Sequence, residues 1–239
     1  MAEKKRPSES LAASGPETRR RLTDIFRRLL ACYGPRRWWP AQSPFEVMVG
    51  AVLTQNTAWR NVEKAVENLR TLNWLTPEAM AAADPDALAQ ALRPSGYFNL
   101  KKNRLLALVE LILAHGRGGR RPELLDRPAD ELRAKLLQVK GIGPETADSI
   151  VLYAAGRPSF VVDLYTRRLL SRHGLASGRE PYEALRAWLM DNLPPDVAFY
   201  NECHALIVAV GHQRCGPKRP LCRGCPLEDE PFLAAELRA

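Results

Sequence analysis

The chain has 239 residues, 46% hydrophobic and 26% charged, a composition that fits a soluble protein of one or two domains with a sizeable core. No apolar run approaches the ~18 residues of a transmembrane helix and the amino terminus lacks the apolar segment of a secretory signal, so a cytoplasmic protein without membrane contact is expected. Lys and Arg number 35 against 27 Asp and Glu, and the net charge of +8 favours an anionic partner, nucleic acid before others.

Residues 1–16 read as a disordered basic tail. Beyond them apolar residues recur at helical spacing and alternating strand patterns are scarce, so the fold class is all-α, with about ten helices joined by short loops. A first helix is expected over about 17–42. It carries Arg37-Trp38-Trp39-Pro40, and two consecutive tryptophans cannot both point into one helix-packed core, which makes them pocket candidates. Ser43-Pro44-Phe45-Glu46 combines a capping serine, proline at the first helical position and a glutamate three residues past the cap. Thr76-Pro77-Glu78, Asp84-Pro85-Asp86 and Arg127-Pro128 open further short helices, while Gly174 and Gly211 read as helix stops. Lys101, Lys102 and Arg104 are candidates for phosphate contact, and Gly116 to Arg121 reads as a flexible basic loop.

Residues 136–151, LLQVKGIGPETADSIV, form the most informative segment. Two helices meet at Lys140-Gly141-Ile142-Gly143, with Leu136, Val139, Ile142, Ala147 and Ile150 as apolar contacts. The glycines permit a tight turn and close approach, and a helix opening at Pro144 offers N–H groups to a phosphate. Such a hairpin grips a nucleic-acid backbone without reading bases. Further on, Val161-Val162-Asp163 precedes LYTRRLLSRHG, which places Asp163 at a helix amino terminus where the dipole favours its ionised form. Five cysteines complete the inventory: Cys32 alone, and Cys203, Cys215, Cys222 and Cys225 near the carboxyl end. In a reducing compartment such clustering suggests a metal before disulfides.

The hairpin followed by Gly156, Pro158 and Asp163 resembles the helix-hairpin-helix DNA glycosylase superfamily that includes endonuclease III. RWWP at 37–40, PFE at 44–46, GAVLTQNT at 50–57 and RPSGYFN at 93–99 are similar to its 3-methyladenine DNA glycosylase III branch, over roughly residues 35–175. The resemblance implies a two-lobed fold with DNA between the lobes and Asp163 as catalytic carboxylate. It implies a base pocket formed by Trp38, Trp39 and Phe45, with His212 a further candidate. Gln55 would fill the gap left by a flipped nucleotide, Tyr97 would wedge into the opposite strand, and Lys140, Gly141, Ile142, Gly143 and Glu145 would meet the backbone. Glu145 stands where bifunctional relatives have a lysine, and a carboxylate cannot form a Schiff base, so monofunctional hydrolysis is expected.

Endonuclease III ends in a [4Fe–4S] loop of spacing C-x6-C-x2-C-x5-C. Cys215, Cys222 and Cys225 match its first three positions, but the fourth is Pro231, and Cys203 reads as a helix-core cysteine. A cluster with a non-cysteine or solvent fourth ligand, Asp229 being close in sequence, is therefore expected ahead of zinc (with Cys203 or His212) or no metal. The expected organisation is a six-helix lobe over 43–156 and a discontinuous lobe of 17–42 plus 157–239 bearing the cysteine loop. The expected activity is release of alkylated purines such as 3-methyladenine from double-stranded DNA by a nucleoid-associated monomer, leaving an abasic site. The alternatives are an endonuclease III-like glycosylase for oxidised, deaminated or mismatched pyrimidines, and a non-catalytic binder of damaged DNA.

Overall fold

A computed structural model describes residues 11–231, and among these every regular element is helical. The chain divides into two compact units, one joining the residues through Trp38 to those from Phe160 onward, the other running from Trp39 to Ser159. No helix among the described residues is long and apolar enough to cross a membrane.

The 39–159 unit contains α2 (Pro44–Leu53), α3 (Trp59–Thr71), α4 (Pro77–Ala82), α5 (Pro85–Leu92), α6 (Phe98–Ala114), α7 (Ala129–Gln138) and α8 (Pro144–Ser149), seven helices where six were expected. α8 runs on into a π-helical turn, Ile150–Ala154. Caps start these helices as the sequence predicts: Ser43, Thr76 and Asp84 each accept backbone N–H bonds from the first turn. α2 is the central element. Nine of its 10 residues are buried, the mark of a helix surrounded on all sides. Its buried Glu46 is compensated by Arg70 at 2.7 Å. The basic loop 116–121 is not the flexible connection expected. The Glu78 carboxylate accepts the N–H groups of Gly118 and Gly119, and these bonds, the Gly119 one foremost, hold the carboxyl below its ordinary range.

The other unit contains α1 (Pro16–Tyr33), α9 (Leu164–Arg172), α10 (Tyr182–Asn192) and α11 (Val197–Gln213). α1 is shorter than expected, because Gly34 at φ +66° ends it, and residues 35–42 are not helical. Residues 1–10 of the expected tail lie outside the described residues, but the stretch that follows is tied down. Ala12 N–H bonds to Leu175 O, Trp188 Nε1 donates to Ala12 O, and Asn192 Nδ2 donates to Ser14 Oγ. Gly174, at φ +70°, follows α9 as predicted. Gly211 does not stop a helix. It lies inside α11, where the Tyr165 ring of α9 occupies the space a Cβ would need.

Candidate active site

Asp163 caps α9. Its Oδ1 accepts from the backbone N–H of Thr166 at 2.7 Å and from Thr166 Oγ1 at 2.9 Å, while Oδ2 lies 3.5 Å from His204 Nε2 on α11. Burial pushes the carboxyl up, but His204 and the Thr166 bonds outweigh it and leave Asp163 below the usual carboxylate value. At neutral pH the site therefore presents a fixed negative charge. The histidine at this carboxylate is His204, whereas His212 lies exposed near the end of α11 and has no place in a buried pocket. The sequence carries no local signal for His204. Its helical phase relative to Gly211, seven residues on and packed against Tyr165, is the sole clue.

In the 39–159 unit the hairpin forms as read. Leu136, Val139, Ile142, Ala147 and Ile150 are buried, Lys140, Gly141, Gly143 and Glu145 are exposed, and Gly141 turns the chain at φ +90°. Arg104 lies across the turn so closely that a Cβ on Gly141 would meet its Cγ at 2.6 Å. Arg104 also donates to Gln55 Oε1, and Gln55 Nε2 donates to Gly141 O and Thr146 Oγ1 at 3.1 and 2.9 Å. The Gln55 amide is thus docked on the hairpin. Tyr97 is 73% exposed and adopts a left-handed backbone, φ +45°, at the start of α6.

Lys101 is not a surface phosphate contact. It is 1% exposed, and its Nζ donates to Leu53 O, Thr57 Oγ1 and Ser95 O. Burial and the nearby Arg104 bring its pKa down to about 8. It bolts together the two segments that carry Gln55 and Tyr97.

The aromatic residues also rearrange the expectation. Phe45 is fully buried in the core and offers no face for stacking. Trp39 is half-buried, lies against Gly50 and meets Trp59 and Tyr153, each at 5.3 Å between ring centroids. Trp39, Pro40 and Trp59, with Glu46 and Arg70, line a cavity of about 440 Å³. Trp38 is half-buried and ends the other unit.

All five cysteines are free. Cys203 is buried on α11, as expected of a core residue, and burial raises its thiol pKa. Cys215, Cys222 and Cys225 line one cavity with His173. Burial pushes the Cys225 thiol up, with Cys215 and Cys222 adding to it, and Arg172 donates to Cys215 Sγ at 2.9 Å. Pro231 offers a backbone carbonyl, 3.0 Å from His173 Nδ1, and Asp229 points to solvent, 92% exposed. Among the described residues no three His, Cys, Asp or Glu side chains gather as a metal ion requires. Cys215, Cys222 and Cys225 supply three thiols and Pro231 none, so this donor set does not complete a four-thiolate cluster.

The chain is 42% identical over 205 residues to a Methanocaldococcus jannaschii protein named "Putative DNA repair glycosylase", covering 86% of this chain and 93% of that one. It is 31% identical over 186 residues to endonuclease III of Thermotoga maritima, covering 78% and 81%. The solved structure of H. pylori 3-methyladenine DNA glycosylase bound to 1,N6-ethenoadenine superposes with a TM-score of 0.67 at 30% identity, covering 82% of this chain and 96% of that one. With residues 49–195 matching the family itself, the chain belongs to the HhH-GPD superfamily of base excision DNA repair proteins.

Proposed function

We propose that the protein is a monofunctional DNA glycosylase that hydrolyses the N-glycosidic bond of alkylated purines in double-stranded DNA and leaves an abasic site. The observation that carries the reaction type is the Asp163 carboxylate, held ionised at a helix start by Thr166 and His204. As the base leaves, positive charge grows on the deoxyribose, and Asp163 stabilises it and positions or deprotonates the attacking water. Glu145 on the hairpin is exposed and offers no amine, and the exposed Lys140 lies on the other side of the turn.

The substrate class is supported by the cavity lined by Trp39 and Trp59. At about 440 Å³ it lies within the range of small-molecule sites. An N-alkylated purine such as 3-methyladenine is cationic and departs without protonation, so electron-rich rings suffice to select it. Identities of 31% to an endonuclease III and 30% to a 3-methyladenine glycosylase do not separate the two chemistries, and what favours the second is the pair Trp39 and Trp59 at a cavity otherwise lined largely by charged side chains of α2 and α3. In this reading the exposed hairpin and Tyr97 hold the duplex, helped by the net charge of +8. The test is mass-spectrometric identification of bases freed from methylated and from oxidised DNA by wild-type protein and by Asp163→Asn. The proposal expects 3-methyladenine from the wild type and none from the variant. Release of oxidised pyrimidines alone would establish the endonuclease III-like chemistry, and release of no base would leave a damage binder.

A further inference from the structure

Asp163 and His204 sit on different helices, and what brings them together is the close packing of α9 on α11. His204 and Gly211 are seven residues apart on α11 and share a face. Gly211 admits the Tyr165 ring, which lies two residues past Asp163, and the helices approach closely enough for the imidazole to reach the carboxylate. Both side chains are largely buried, at 10% and 13% exposure. Thr166 takes Oδ1 with two hydrogen bonds, and His204 stands at Oδ2. The backbone beside Asp163 is held from α10, where Tyr182 Oη accepts the Val162 N–H at 3.3 Å.

We propose that His204 is the positioning residue of Asp163, fixing Oδ2 from α11 as Thr166 fixes Oδ1 from α9. The proposal rests on the reading of Asp163 as the catalytic carboxylate. A hydrogen on Nε2 favours the ionised carboxylate whether the imidazole is neutral or charged. The groups that act on the Asp163 charge are His204 and Thr166, and burial opposes them. Without His204 burial gains ground, so the carboxyl takes up a proton nearer neutral pH and its free oxygen is no longer oriented.

The test uses the full chain and alkylated duplex DNA, with His204→Leu, His204→Gln and Asp163→Asn. Single-turnover base release is followed against pH, alongside carboxyl NMR titration of Asp163 and duplex affinity. His204→Leu is expected to lose about 10- to 100-fold in rate, the usual cost of removing a partner that orients a reacting group, with duplex affinity unchanged. Its acid limb and its Asp163 titration both move towards neutral, and His204→Gln, which keeps an N–H donor, recovers part of the rate. A merely structural histidine would not move the pH profile. Wild-type rate and acid limb in both His204 variants would overturn the proposal while Asp163→Asn remains inactive. Excision by Asp163→Asn at the wild-type rate would instead overturn the reading of Asp163, and the proposal with it.

Discussion

Trp39 meets Trp59 edge to face, with centroids 5.3 Å apart and planes at 84°. The ring paired with Trp39 thus comes from the first turn of α3, not from Phe45 on α2. A base entering the neighbouring cavity loses Trp59 as a stacking surface when the ring is removed, at about 1–3 kcal/mol per stacked base. Trp59→Ala is accordingly expected to slow release of 3-methyladenine about 10-fold or more while leaving affinity for undamaged duplex unchanged. Phe45→Ala acts differently, lowering the melting temperature through a core cavity worth about 3–5 kcal/mol. Base-release kinetics and thermal unfolding on the two variants separate the roles.

Glu145 occupies the first turn of α8, exposed beside Gly143 and Pro144 of the hairpin. With a carboxylate there the enzyme is expected to leave intact abasic DNA and to form no covalent adduct when reaction mixtures are treated with borohydride. Glu145→Lys places an amine at the same turn, and adduct formation with nicked product is the expected gain. Trapping of the wild-type protein would show an amine route that Glu145 cannot supply.

Features made within one short stretch of chain are legible in the sequence, and those made by distant segments are not. Caps at Ser43, Thr76, Asp84 and Asp163 are legible because the capping oxygen and the N–H it accepts lie within three residues of each other. The hairpin is legible because its five apolar contacts and two glycines are a local pattern, and all five contacts are buried. Phe45, Lys101 and His204 are not, because their environments are made by distant segments. A phenylalanine two residues past a cap can serve a pocket or a core, and the packing of α2 on all sides decides for the core. A lysine among Lys102 and Arg104 looks solvated until three acceptors from residues 53, 57 and 95 converge on it. The cysteine loop is half legible: Cys215, Cys222 and Cys225 share a cavity, while Pro231 brings to the fourth place only a backbone carbonyl turned to His173.

Lys101 gives a stability prediction with a definite sign. Its three hydrogens meet three acceptors, so Lys101→Met leaves Leu53 O, Ser95 O and Thr57 Oγ1 without that donor and is expected to cost about 2–4 kcal/mol at pH 7. The folded pKa of about 8 lies below the ordinary 10.5, so between these values the unfolded chain binds the extra proton. Stability contributed by this site therefore rises with pH across that window and is lost again as pH falls through about 8. Denaturant unfolding of wild type and Lys101→Met at pH 7.5 and 9.5 checks it: the gap between them should widen at the higher pH, and a constant gap would contradict the assignment.

Gly211→Ala tests the contact on which the Asp163 site is built. A Cβ at 211 would strike Tyr165 Cδ1 and lie 2.8 Å from Cγ and 3.0 Å from Cβ, so the overlap reaches the base of the side chain and a rotamer change cannot relieve it. The helices α9 and α11 must part instead. Overpacking of this kind costs about 1–3 kcal/mol, and it draws His204 away from Asp163 without altering either residue. Gly211→Ala is thus expected to lower the melting temperature and to slow base release with its acid limb moved towards neutral. Tyr165→Ala removes the ring the new methyl would strike. In the double variant the two losses should be less than additive by about 1 kcal/mol or more, as for residues in direct contact. Strict additivity would mean that Gly211 is small for a reason other than Tyr165.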